Sequence, residues 1–276
     1  MKNKLWNRRK KVLFLLIFSL LFLGLTCLAG TLLGDAARKS DFTRKNLAPG
    51  FPYLFGTDWL GRDMLARTLK GMSISILLGV AAALISAVLA AVLGVASALG
   101  GKKVDGIITF FIDLIMGIPH ILLLILISVA LGKGLKGVVV GVALTHWTSL
   151  ARLIRSEILQ LKESNYIKIA EKLGKSKWYL VRKHFIPQLL PQFIVGLVLI
   201  FPHAILHESS ITFLGFGLSS EQPAIGVILS EAMQHLVTGK WWLAFFPGLY
   251  LVLTVVLFYM AGEALRKLLD PGSVHE

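Results

Sequence analysis

The sequence predicts an all-α integral membrane protein of about six transmembrane helices, with a helical hairpin projecting into the cytoplasm. Three observations carry this reading. Hydrophobic residues make up 55% of the chain, charged residues only 16%, and mean hydropathy is +0.74, well beyond a soluble domain. Six segments are long and apolar enough to be candidate spans. The longest clearly water-soluble stretch, residues 164–191, is basic and has apolar residues at helical spacing.

The chain starts basic, with Lys2, Lys4, Arg8, Arg9, Lys10 and Lys11. Residues 12–33 then run apolar for about 20 residues, enough to cross ~30 Å of hydrocarbon. A cleaved signal peptide would have a shorter apolar core and a small-residue cleavage site, so an uncleaved signal anchor is expected. Residues 35–71 form a polar connection with Pro49, Pro52 and several glycines. The remaining spans are expected near 73–99, 106–131, 137–150, 192–214 and 242–261. The 137–150 run is short and should extend towards Arg155. The 192–214 run contains Pro202, His203, His207 and Glu208, and should be kinked and protein-facing. Small residues crowd the second span, from Ala81 to Ser97, and allow close helix packing in lipid.

Six spans place both termini on one side. The N-terminus and segments 100–105, 151–190 and 263–276 carry 19 Lys and Arg, against 10 on the other three connections. The richer side should be cytoplasmic. The net charge of +14 lies beside apolar spans, which favours an anionic membrane lipid surface over nucleic acid as its partner. Cys27 is the only cysteine, so neither an internal disulfide nor a cysteine-rich metal site is possible.

Segment 164–191 reads as two short helices. Tyr166, Ala170 and Leu173 recur at helical spacing. Gly174 stops the first helix, Ser176 caps the second, and Trp178, Val181 and Phe185 form the second apolar face. Pro187 marks the next break. An ordinary basic cytoplasmic loop would account for the charge; the glycine, the cap and the apolar faces argue for docking onto a partner.

Catalytic signatures are absent. Gly174-Lys175-Ser176 looks like the tail of a P-loop, but the required first glycine falls at Ile169. His207-Glu208 is not a zinc-protease motif, because Ile211 stands four positions after His207. Asp113 inside the third span invites a proton-relay role, against the plainer one of a packed or water-facing polar residue.

Several segments resemble the permease subunits of binding-protein-dependent ABC importers, in the dipeptide/oligopeptide/nickel branch. The hairpin is similar to the family's cytoplasmic Glu-Ala-Ala loop. Aligned on Gly174, the motif's Glu falls at Lys168 and its alanines at Ile169 and Ala170. Glu171 and Leu173 lie in the spacer, and the closing residues are Ile186 and Pro187. Lys168 and Ile169 depart from the pattern. Gly56, Thr57, Asp58, Gly61, Arg62 and Asp63 resemble the branch signature before the second span. Asp113 with Ile118 and Pro119, the 207–219 segment, and the 262–271 segment resemble further family signatures in order.

The resemblance implies residues 1–71 as N-terminal segment, first span and external loop, and 72–276 as permease core with a coupling loop at about 160–190. It implies a prokaryotic inner-membrane location and no catalytic residue or cofactor in this chain. ATP and Mg would be held by two ABC ATPase subunits. A second homologous permease and an extracytoplasmic substrate-binding protein complete the set. The expected cargo is nickel or a nickel chelate, with dipeptides or oligopeptides as the alternative. Thr145-His146-Trp147 and the pair His203 and His207 carry the nickel expectation, the pair lying one turn apart on the candidate path as transient metal ligands. A secondary transporter or channel would instead need ionisable pairs or repeats within the spans. Only Asp113, His120, His203, His207 and Glu208 stand there as polar candidates, with no visible repeat.

Overall fold

A computed structural model describes residues 2–269, with side chains from Lys10 onward. The side chains of Lys2, Lys4, Arg8 and Arg9, and the Asp270-Pro271 end of the last signature, lie outside the described residues. The elements are α1 (Lys2–Leu32), a 3-10 turn (Phe42–Arg44), α2 (Met64–Leu99), α3 (Lys102–Gly117), α4 (His120–Ala130) and α5 (Gly134–Lys162). Then follow α6 (Asn165–Lys172), α7 (Lys177–Leu180), a π turn (Val181–Phe185), α8 (Ile186–Phe213), α9 (Ile225–Leu236) and α10 (Trp242–Leu269). Among the described residues there is no strand beyond an isolated bridge between Thr57 and Asp63.

Five of these helices are long and apolar enough to cross a membrane, and α3 with α4 makes a sixth when the pair is taken as one span. That pair occupies the span expected near 106–131 and bends by 103°. Pro119 has no N–H for the helix ladder and drives the preceding residue out of the helical region, and Ile118 sits at φ −92°, ψ 137°. Pro202, where a kink is expected, lies inside α8. α8 continues without interruption through Pro191 and Pro202. Its 200–212 stretch is otherwise as the polar residues imply, since Phe201, Pro202, Ala204, Ile205, Glu208 and Ser209 are all buried.

α2 and α5 form the centre of the bundle. Ala83, Ala87 and Ala90 of α2 pack with Trp147, Leu150, Ala151 and Ile154 of α5 in one buried cluster. A Cβ on Gly94 would come within 2.8 Å of the Ala151 carbonyl, so the small-residue face brings the two backbones together. α5 runs well past Arg155, as its short apolar run requires. Arg155 there grips Asp105 of α3, and Arg152 pairs with Asp113 at 2.6 Å. Asp113 thus stands in an ion pair between α3 and α5.

Candidate functional site

Three groups of expected residues occupy three levels of the molecule. The first is the loop before α2. Asp58 is fully buried and accepts from the Leu60 and Arg62 amides at 2.9 Å, and from Arg62 Nε and Arg67 Nη1 at 2.6 Å. Arg67 reaches onward to Glu231 of α9 at 2.8 Å. Asp63 caps α2 by accepting from the Leu65 amide. Gly61 has φ +74°, and a Cβ there would stand 1.8 Å from the Asp41 carbonyl, so only glycine fits. Thr57 accepts from the Leu47 amide at 2.9 Å, and Gly56 also has positive φ. The signature is a clamp that fixes the loop against α9. Arg67 and Glu231 complete it, and their 164-residue separation hides the pairing from local spacing.

The second group is the hairpin. Gly174 ends α6 at φ +74° with no atom within 4 Å of where a Cβ would stand, and the Lys175 amide bonds back to the Ala170 carbonyl. Ser176 Oγ accepts from the Tyr179 amide at 3.2 Å. The apolar faces differ from expectation. Ile167, Leu180, Val181 and Phe185 are buried against the body, whereas Tyr166, Ile169, Leu173 and Trp178 face outward. Leu173 and Trp178 are 72% and 70% exposed. The break expected at Pro187 is also absent. The proline occupies the first turn of α8, where its missing N–H costs least, and the π turn carries α7 directly into α8. Lys168, standing where the motif has Glu, bonds Glu163 at the end of α5 at 2.7 Å and holds that carboxyl below its ordinary range. Glu171 and Ala170 lie on α6, and Ile186 opens α8.

The third group lines a cavity of about 780 Å³ between α3, α4, α5 and α8, within the size range of small-molecule sites. Its wall combines Ile115, Ile118, Leu150 and Ile200 with Thr145, Thr148 and Ser149. His120, His146, His203 and His207 also line it. Both histidines of the expected pair are therefore on the cavity wall, but only His207 meets other imidazoles. His120, His146 and His207 each offer a ligand atom within 4.8 Å of the others, whereas His203 is exposed and outside that group. His146 lies roughly 18 Å along α5 from Gly134, well inside the span. Glu208 points elsewhere, as its position on the helix requires. It is buried and accepts from Thr212 Oγ1 at 3.1 Å, while Thr212 Oγ1 accepts from the Leu218 amide. This tethers the 214–224 connection to α8. The hydroxyls and imidazoles on its wall, with Thr145 Oγ1 3.2 Å from His146 Nδ1, supply donors and acceptors for a small polar solute.

Residues 90–274 match the sequence profile of the family described as binding-protein-dependent transport system inner membrane component. The chain is 34% identical to the dipeptide transport system permease protein DppC of Bacillus subtilis over 269 residues, covering 96% of this chain and 84% of that protein. It is also 34% identical to the oligopeptide transport system permease protein OppC of the same organism, covering 84% of this chain and 77% of that one. Among solved structures, an amino acid ABC transporter with histidines matches with a TM-score of 0.54 at 17% identity, over 77% of this chain and 95% of that one. The MetNI methionine ABC transporter in an inward-facing form matches with a TM-score of 0.50 at 20% identity, over 74% and 92%. At these identities the likeness concerns the fold. The chain belongs to the binding-protein-dependent transport system inner membrane component family and is a multi-pass permease of an ABC importer in the prokaryotic inner membrane.

Proposed function

We propose that this permease imports small peptides through the cavity between α3, α4, α5 and α8, driven by ATP hydrolysis in partner subunits. The observation that carries the coupling is the continuity of residues 177–213. One continuous helical segment bears the outward-facing Trp178 at one end and His203 and His207 on the cavity wall, roughly 38 and 44 Å further along its path. A push on the hairpin therefore reaches the cavity wall through one unbroken helical segment.

In this reading, Ile169, Leu173 and Trp178 enter a groove on one of two ABC ATPase subunits, with Lys168, Lys172 and Lys175 at the rim. Those subunits hold ATP and Mg. A second homologous permease covers the exposed apolar side chains of α3 and α4, such as Phe110, Leu114 and Leu122. An extracytoplasmic binding protein delivers cargo to the Asp58 clamp side. Both termini lie in the cytoplasm, following the Lys and Arg excess.

The names of the relatives support peptides rather than the nickel ion expected from the histidine pair. Uptake of a labelled dipeptide into proteoliposomes bearing the full complex and its binding protein tests the proposal. ATP-dependent accumulation is expected. Accumulation that is equally fast without ATP, or driven by an ion gradient instead, would contradict it.

A further inference from the structure

Three imidazoles from three helices meet just after the bend between α3 and α4. His120 opens α4, His146 lies in the middle of α5, and His207 lies on α8. Their ring centroids are 4.7 Å (His120–His146), 4.2 Å (His120–His207) and 5.1 Å (His146–His207) apart. His146 Nδ1 lies 2.9 Å from the Val142 carbonyl and 3.2 Å from Thr145 Oγ1. A carbonyl only accepts, so Nδ1 carries the hydrogen and the Nε2 lone pair is left for another partner. Nδ1 of His120 is buried with no hydrogen-bond partner among the described residues. A buried ring nitrogen left unpaired is unfavourable, and the neighbouring His146 and His207 rings do not satisfy that of His120.

We propose that His120, His146 and His207 form a binding site for a divalent transition-metal ion. Imidazole suits nickel, zinc, copper and cobalt, and the absence of an acid from the group disfavours calcium and magnesium. A tetrahedral ion with bonds of about 2.0–2.1 Å needs nitrogens about 3.4 Å apart. The ligand atoms here lie within 4.8 Å, so side-chain rotation on the order of 1 Å closes the set. Three protein ligands leave a further position facing the cavity, as in exchangeable rather than closed structural sites. That position fits water or a donor atom of the cargo. Because each ligand rides on a different helix, relative movement of α4, α5 and α8 pulls the set apart and frees the ion, as a transport path requires.

This rests on the importer reading and narrows its cargo to one that carries a divalent metal, either as the ion or as its peptide chelate. The test uses the full detergent-solubilised complex with Co²⁺ as probe. One Co²⁺ per permease is expected, with visible absorption bands that Ni²⁺ and Zn²⁺ abolish by competition. His146→Gln and His207→Gln should each weaken binding at least tenfold, while His235→Gln, outside the cavity, leaves it unchanged. His207→Cys should retain Co²⁺ and add a thiolate-to-cobalt charge-transfer band, a readout that loss of folding cannot mimic. Co²⁺ binding that is absent in the wild-type complex, or unchanged in both Gln variants, overturns the site.

Proteoliposome uptake separates the sources: Ni²⁺ alone, a histidine-containing dipeptide alone, and their chelate. Uptake of the ion or of the chelate identifies which form the site serves. Uptake of metal-free dipeptide by a complex that binds no Co²⁺ rejects the metal site and keeps the peptide importer. Co²⁺ bound at the three histidines with no cargo moved supports the site and rejects the peptide reading.

Discussion

Arg155 on α5 holds Asp105 on α3 in a two-point bond, Nε to Oδ1 and Nη2 to Oδ2, both 2.6 Å. The fork joins the start of the bent α3 to the shaft of α5, close to the side that carries the hairpin. Lysine keeps the charge but loses the planar fork. Arg155→Lys should therefore destabilise the permease by about 1–2 kcal/mol, read as a lower unfolding temperature in detergent. Asp105→Asn should give a similar loss, and the double variant less than the sum, since both remove one interaction.

Arg67 is the side chain whose loss should cost most. It is 1% exposed and stands between Asp58, which is fully buried, and Glu231, which is partly exposed. Arg67→Met leaves the Asp58 charge with Arg62 alone. Removing one partner of a buried ion pair costs about 3–5 kcal/mol. The expected result is little folded protein in the membrane. A yield and unfolding temperature equal to the wild type would show that the clamp contributes nothing.

Gly174 tests the hairpin through backbone strain alone. Its φ is +74° and nothing lies within 4 Å of an added Cβ, so a substitution meets conformational cost without a clash. A β-branched residue in that region costs about 1–2 kcal/mol. Gly174→Val should leave the complex assembled but lower ATP-driven uptake several-fold, and Gly174→Asn, which tolerates the conformation, should be milder. Equal uptake by all three would remove the hairpin from the coupling path.

Topology is open to a separate check. Cysteines placed at Lys175 and Ser219, in a chain with Cys27→Ser, should label from opposite sides of intact cells. Ser219→Cys is expected to react with an impermeant reagent from outside and Lys175→Cys only after lysis. Reaction of Lys175→Cys in intact cells would invert the orientation.

The spans were legible because apolar runs of membrane length have few other uses. The direction of each span was not. Residues 106–131 are apolar on both sides of Pro119, so hydropathy sums across the 103° bend as though it were straight. Pro202 stands beside His203, His207 and Glu208 inside an unbroken α8, with Glu208 buried and His203 exposed on the cavity wall. The hairpin ends were readable from Gly174 and Ser176, since caps are local chemistry. Its faces were not. The hairpin has one apolar face against its own body and one that is exposed, and spacing does not say that Ile167 is the inner one and Leu173 the outer. The cavity histidines divide the same way. One turn of helix links His203 to His207 in sequence, whereas the meeting of His207 with His120 and His146 depends on how α4, α5 and α8 pack.

The central claim is that the rod running from the hairpin into α8 moves the cavity wall when ATP acts on the partner subunits. Ser149 lines that cavity and is exposed within it. The most direct measurement is the reaction rate of Ser149→Cys, in a chain with Cys27→Ser, with a small thiol reagent in the full complex, with and without ATP. The account predicts a rate that changes at least several-fold on adding ATP, and a change that is lost when Gly174→Val is added. A rate indifferent to ATP, in a complex that hydrolyses it, would contradict the account.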